Sequence, residues 1–244
     1  EDKPSPEDSG VFVVEPGQMP PDEGDWDTLY FLPGIHDIGL SFRLRPNRNY
    51  YIPGDAIVYG TMNTNNEWDG HDIRVFGYGT LSGDHLNHPL VDGVPLELEH
   101  KYIHISIRGA DRTVIEGITF ANSPFHTGTV PSSERVDVRW VKILNWRVNT
   151  DGISNSRHMV VDHCFYRTQD DSIYIQENTV RNTVFWYDAV GGTFVLTRLG
   201  NYGNPYPDGV VPETAIVEDC VVIYNRAAIP AGAMAWSGRP FPPS

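Results

Sequence analysis

Asn149-Thr150-Asp151-Gly152-Ile153 is answered 20 residues later (171 − 151) by Gln169-Asp170-Asp171-Ser172-Ile173. Together the two segments carry three carboxylates and neither contains a Lys or Arg. Three acids brought close together are costly unless they hold a cation or share protons for catalysis. Glycosidic cleavage with inversion uses such a set: one carboxylic acid protonates the leaving oxygen while another carboxylate, ~6.5 to 9.5 Å away, activates water. Asp170, flanked by Asp151 and Asp171 once the segments are neighbours, would hold its proton more tightly, as a general acid must. Two other readings stand beside this one. Asn-Thr-Asp-Gly and Asp-Asp-Ser are ordinary turn sequences whose carboxylates cap backbone amides, and three aspartates could hold Ca²⁺ in a polysaccharide lyase.

The catalytic reading demands neighbouring rungs of a stack, since parallel strands lie ~4.8 Å apart. It also demands a break in each strand. In a straight strand Ile173 and Ile175 would carry Asp171 inward and leave Asp170, Ser172 and Tyr174 outward, and Asp151 meets the same conflict with Ile153. A turn or bulge around each motif resolves it, and Gly152 permits one on the first coil.

The rest of the chain supplies such a stack. Leu29-Tyr30-Phe31-Leu32-Pro33-Gly34 is echoed 20 residues on (54 − 34) by Asn49-Tyr50-Tyr51-Ile52-Pro53-Gly54, each an aromatic and aliphatic strand running into a Pro-Gly corner. Further on, short alternating strands superpose with Ile118, Val141, Cys164, Thr183 and Cys220 in register, at intervals of 23 (141 − 118), 23 (164 − 141), 19 (183 − 164) and 37 (220 − 183). The last interval is enlarged by a loop over 199–212. No segment reads as a long amphipathic helix, because apolar residues alternate and β-branched types dominate. Short strands at one interval per coil, with 23 glycines and 19 prolines, predict an all-β, single-stranded right-handed parallel β-helix. An antiparallel sandwich also explains the strands but makes the interval an accident. Residues 1–25, rich in Pro, Gly, Asp and Glu, read as a flexible lead-in carrying one strand at Val11-Phe12-Val13-Val14, and 26–244 as the helix proper, part of a longer chain. The stretch from Asp84 to Lys101, with three histidines and two prolines, reads as a loop leaving the stack to rim a cleft.

Charge narrows the partners. Acids outnumber bases 32 to 18, for a net charge of −14, a field that repels nucleic acid and argues against an acidic polymer, whereas a neutral one suffers no repulsion. No apolar run approaches the ~20 residues that span a bilayer, so no membrane is expected. Cys164 and Cys220 fall two coils apart, roughly 9 to 10 Å, and are expected as free thiols. No Cys/His cluster has zinc-ligand spacing, and no cofactor or metal is expected.

Tyr51-Ile52-Pro53-Gly54, Gly77-Tyr78-Gly79-Thr80-Leu81-Ser82-Gly83, Asn149-Thr150-Asp151-Gly152-Ile153, Gln169-Asp170-Asp171-Ser172 and Val222-Ile223-Tyr224-Asn225-Arg226 together resemble the polygalacturonase and dextranase group of β-helical glycoside hydrolases. The resemblance spans about residues 29–226. It implies inversion, with Asp170 as general acid and Asp151 and Asp171 handling the water, in a secreted, monomeric enzyme. Polygalacturonases also carry a Gly-His-Gly and a downstream Arg-Ile-Lys that grips the uronate carboxylate. Here the matching coil reads Val190-Gly191-Gly192-Thr193-Phe194 and no Arg-x-Lys occurs. That moves the resemblance towards the dextranase and isopullulanase family, whose members cut neutral α-glucans.

Asn149, Gln169, His126, Tyr174, Arg198 and Asn201 are the candidate substrate-binding residues, His126 because it would stack one coil before Asp151. Trp146, Tyr174, Trp186, Tyr202 and Tyr206 are candidate sugar-stacking platforms. The expected activity is hydrolysis of a neutral polysaccharide of dextran or pullulan type. A polygalacturonase-like hydrolase and a non-catalytic β-helical carbohydrate-binding fragment are the alternatives.

Overall fold

A computed structural model describes residues 3–65, 67–156, 158–175, 177–187, 195–197, 215–225 and 234–236. Within them the strands are short and every pairing between them is parallel, so the chain winds as a β-helix with three faces. The first face carries Val11–Val14, Thr28–Phe31, Asn49–Ile52, Arg74–Gly77, Asp111–Glu116, the end of Gly128–Arg139, Met159–Asp162, Thr179–Arg181 and Ile216–Glu218. The second carries the beginnings of Gly34–Arg43 and Ala56–Asn63, then Thr80–Ser82, Thr119–Ala121, Lys142–Leu144, Phe165–Thr168, Val184–Tyr187 and Val221–Asn225. The third joins the ends of those two long strands to Ile105–Ser106, the start of Gly128–Arg139 and Ile153–Ser156. Among the described residues no helix is long and apolar enough to cross a membrane.

The expected register holds from residue 118 onward. Thr119 pairs with Lys142, Lys142 with Phe165, Phe165 with Val184 and Val184 with Val221, which places Ile118, Val141, Cys164, Thr183 and Cys220 on successive rungs. Cys164 and Cys220 are thus two rungs apart, and both are free. The Pro-Gly echo is offset, by one residue in the strand and by two at the corner. Leu29 pairs with Tyr50 and Tyr30 with Tyr51, a spacing of 21 (50 − 29), and Gly34 pairs with Ala56 rather than Gly54. The pleat explains the slip. Keeping Leu29 and Tyr50 both inward requires an odd spacing here, because a 20-residue step would pair Tyr30 with Tyr50 and turn one of them out. Val11–Val14 is itself a rung, pairing in register with Thr28–Phe31.

Inward residues form continuous apolar ladders. Leu29, Tyr50, Val75, Ile115, Val138, Val161 and Val180 line the first face, and Val58, Leu81, Phe120, Ile143, Tyr166 and Phe185 the second, all buried. Each buried aliphatic or aromatic side chain contributes roughly 1.5 to 3 kcal/mol, so every rung is stabilised by the next. Where the rungs close tightly, side chains disappear: a Cβ on Gly128 would stand 2.8 Å from Ile153 Cγ1.

Candidate active site

The corner between the second and third faces is where the two acidic segments meet. Asp151 and Asp171 lie on consecutive rungs. The Thr127 amide donates to the Asp151 carbonyl at 3.0 Å, and the Gly152 amide donates to the Asp171 carbonyl at 2.9 Å. A Cβ on Gly152 would come within 1.8 Å of the Ser172 carbonyl oxygen, so only glycine lets these two rungs approach. His126 sits one rung before, as its neighbour Thr127 shows.

The parity conflict is resolved by broken strands. Asn149 adopts φ 53° in a turn, and residues 169 to 172 bend rather than extend. Local hydrogen bonds hold both breaks. Thr150 Oγ1 donates to the Arg147 carbonyl at 2.7 Å, Thr168 Oγ1 donates to the Asp170 carbonyl at 3.0 Å, and Thr168 Oγ1 and Ser172 Oγ lie 2.7 Å apart. Asp170 thereby leaves the strand at the point where a straight chain would have sent it to the outer face of the sheet. Its Oδ1 accepts the Asp171 amide at 2.8 Å.

Burial and charge act on this cluster together. Burial, then the negative charge of Asp151, pushes the Asp170 carboxyl up to about 6; the Asp171 charge adds to the rise, while the Asp171 amide and His126 oppose it. Asp151 is 2% exposed, and Tyr174 donates its hydroxyl to Asp151 Oδ2. Burial first, then the charges of Asp151 and Asp171, raises the Tyr174 phenol, so it stays a donor across any working pH. Its ring is buried. Burial takes the Tyr174 ring away from the exposed surface a stacking platform needs, and its hydroxyl holds Asp151. His126 Nε2 stands 3.5 Å from Asp151 Oδ1 and 3.0 Å from Asn149 Nδ2. An imidazole between a carboxylate and an amide can orient either.

The structure thus brings together Asp151, Asp170, Asp171, His126, Asn149 and Tyr174, with Gln169 on the bend beside Asp170. Arg198, Asn201, Tyr202 and Tyr206 lie outside the described residues, as does the Gly191-Gly192 coil. Trp146 is largely exposed with the Arg167 guanidinium 4.4 Å over its ring, and Trp186 is also exposed, pairing beside Arg167 on the next rung.

The loop after Gly83 contributes more than its sequence indicated. It leaves from the same corner and folds back on it. Arg147 Nη1 donates to the carbonyls of Gly83 and Leu86 at 3.1 and 2.8 Å, and His88 Nε2 reaches the Val148 carbonyl at 2.6 Å, next to Asn149. His88 also meets the Phe125 ring edge-on, and Phe125 stacks on His126 at 4.3 Å. Its spacing carries no period, so only a contact between residues 60 positions apart reveals His88 (148 − 88). The polar lining of the corner, Ser123, Thr127 and Asn145, was likewise invisible: Asn145 Nδ2 donates to Thr127 Oγ1 at 2.7 Å, and Asn145 Oδ1 accepts the Ser123 amide at 2.8 Å.

No family model matches the chain. Over 199 residues it is 28% identical to a probable exopolygalacturonase B of Emericella nidulans, covering 70% of this chain and 41% of that relative. Among solved structures, the Yersinia enterocolitica Family 28 exopolygalacturonase superposes with a TM-score of 0.58 at 13% identity, over 83% of this chain and 61% of that one. Dex49A from Penicillium minioluteum superposes with a TM-score of 0.60 at 17% identity, over 93% of this chain and 48% of that one. The chain therefore spans less than two thirds of the length of each of these relatives, and its fold is the right-handed parallel β-helix. In sequence and fold it is similar to the polygalacturonase-related β-helical glycoside hydrolases.

Proposed function

We propose that the protein hydrolyses a glycosidic bond within a polysaccharide, with inversion, and that Asp170 is its general acid. One observation carries this reading: a carboxyl raised to about 6 stands beside two further carboxylates, Asp171 on its own rung and Asp151 on the neighbouring one. A general acid with that value holds its proton in mildly acidic solution and releases it readily, while Asp151 and Asp171 remain to orient and deprotonate the attacking water. Tyr174 keeps Asp151 in place, and His126 with Asn149 borders the space the sugar occupies. The polymer is met outside the cell, where chains too large to enter are found, and the steps described need no cofactor.

For the substrate we favour a neutral α-glucan of the dextran or pullulan type. The net charge of −14 supports it, since an acidic polymer would be repelled, and so does the similarity in fold to Dex49A. Polygalacturonate is the second reading, favoured by the names of the Emericella and Yersinia relatives. Reducing-sugar release from dextran, pullulan and polygalacturonate, with the product anomer followed by NMR, separates them. Release from dextran or pullulan as the inverted anomer is expected. Release from polygalacturonate alone would transfer the assignment to pectic polymers, and a retained anomer would remove the inverting mechanism.

A further inference from the structure

At a different corner of the helix, between the first and second faces, a groove of about 510 Å³ opens beside Tyr78 and Trp140. The acid cluster lies at the other end of the second face, beyond its strands of three or four residues. The two sites share no residue.

The groove is built with some care for its aromatic walls. Trp140 is 51% and Tyr78 64% exposed. Trp140 sits in a turn at φ 59° and stacks on His163 with ring centroids 4.3 Å apart. His163 is in turn held by Asp162, Nδ1 to Oδ1 at 2.7 Å. An exposed indole fixed by a ring on the next rung is a preorganised flat surface, so little side-chain freedom is lost when something lies against it. The polar groups of the groove are also fixed. Glu116 accepts from Arg74 at 3.0 Å and from Arg139 at 3.3 Å. Among the residues that line the groove, Asp55 and Glu116 balance Lys3 and Arg74, while the molecule as a whole carries −14.

Aromatic faces bordering hydrogen-bonding groups, with balanced lining charges, match the surface of a pyranose ring, which offers apolar C–H faces and a hydroxyl rim. We propose that this groove is a second, non-catalytic binding site for a neutral glycan chain, with Trp140 and Tyr78 as its platforms, that tethers polymer while the acid cluster works on it. The choice of a glycan rests on the hydrolase reading; the groove's geometry does not. A rigid platform one face away raises the local concentration of chain at the reactive corner without touching the bond that breaks.

The test uses the full chain in two backgrounds. In Asp170→Asn protein, which binds without turnover, electrophoretic retardation in dextran-containing gels and the indole ¹H–¹⁵N signals of Trp140 under a soluble gluco-oligosaccharide report binding. Trp140→Ala is expected to weaken retardation about tenfold, the size of one lost aromatic contact. Tyr78→Ala, at a more exposed position, provides a second variant should Trp140→Ala fold poorly. In the active background the same substitutions are expected to lower activity on polymer while leaving kcat on a short oligosaccharide unchanged. Unshifted Trp140 signals together with undiminished retardation in both variants would overturn the site, as would retardation by polygalacturonate alone. Binding without any hydrolysis by the unsubstituted protein would sink the hydrolase reading and leave the groove standing.

Discussion

Tyr174 and Asp151, 23 residues apart in sequence (174 − 151), are joined across one rung by a hydrogen bond from the phenol to Asp151 Oδ2. A buried carboxylate held by a neutral donor keeps its orientation, which a group that directs water requires.

Removing that donor is the first test. Tyr174→Phe keeps the buried ring but leaves Asp151 Oδ2 without its phenol, so kcat is expected to fall 10- to 100-fold, about 1.4 to 2.7 kcal/mol in the barrier, with KM changed much less. Steady-state kinetics on the preferred polymer measure the split. A rise in KM alone would show that the tyrosine serves binding rather than Asp151.

The raised Asp170 carboxyl fixes the alkaline side of the pH profile. Asp170 must be protonated to act, so kcat/KM should decline as pH rises through about 6. A profile flat from pH 5 to 8 would take the acid role from Asp170.

The same group makes a stability prediction. A carboxyl whose folded value lies above its unfolded one binds more protons folded, so the contribution of Asp170 to stability is greatest at low pH and is lost as pH rises from about 4 through 6. Asp170→Asn removes the ionisation. The variant should therefore be inactive yet melt above the unsubstituted protein at pH 7, with the gain vanishing near pH 4. Thermal melts by circular dichroism at the two pH values check it.

Gly152→Ala tests how closely the two acidic rungs must approach. The new methyl would meet the Ser172 carbonyl at 1.8 Å, and backbone can yield only by moving a whole rung. A loss of about 1 to 3 kcal/mol is expected, with activity falling further than stability because the carboxylates part. Urea denaturation and reducing-sugar assays read the two effects.

Phe120 lies fully buried between Leu81 and Ile143 in the inward ladder of the second face. Phe120→Ala should cost about 3 to 5 kcal/mol in urea-induced unfolding, since neighbouring rungs are locked by backbone pairing and cannot collapse into the cavity.

The strands and their interval were legible in the sequence because a β-helix repeats one environment. Each coil must repeat the same alternating strand at the same register, so Ile118, Val141, Cys164, Thr183 and Cys220 could be aligned from the sequence. The Pro-Gly echo misled by one residue in the strand and two at the corner, because turns tolerate a change of length that a strand's pleat does not. Likewise the pairing of Asp151 and Asp171 followed from their local likeness, but nothing local announced that His88 would reach Val148.

By itself, then, the sequence determined the solenoid, its coil length and the three acids placed on two successive turns, because these depend on side-chain pattern and on neighbours in the chain. Only the tertiary structure decided that Tyr174 serves Asp151 through its hydroxyl, that the 84–101 loop closes on the acidic corner, and that Tyr78 and Trp140 border one groove. Those relations join residues on different coils through side chains whose direction is set by turn geometry, and turns, unlike strands, have no period to read.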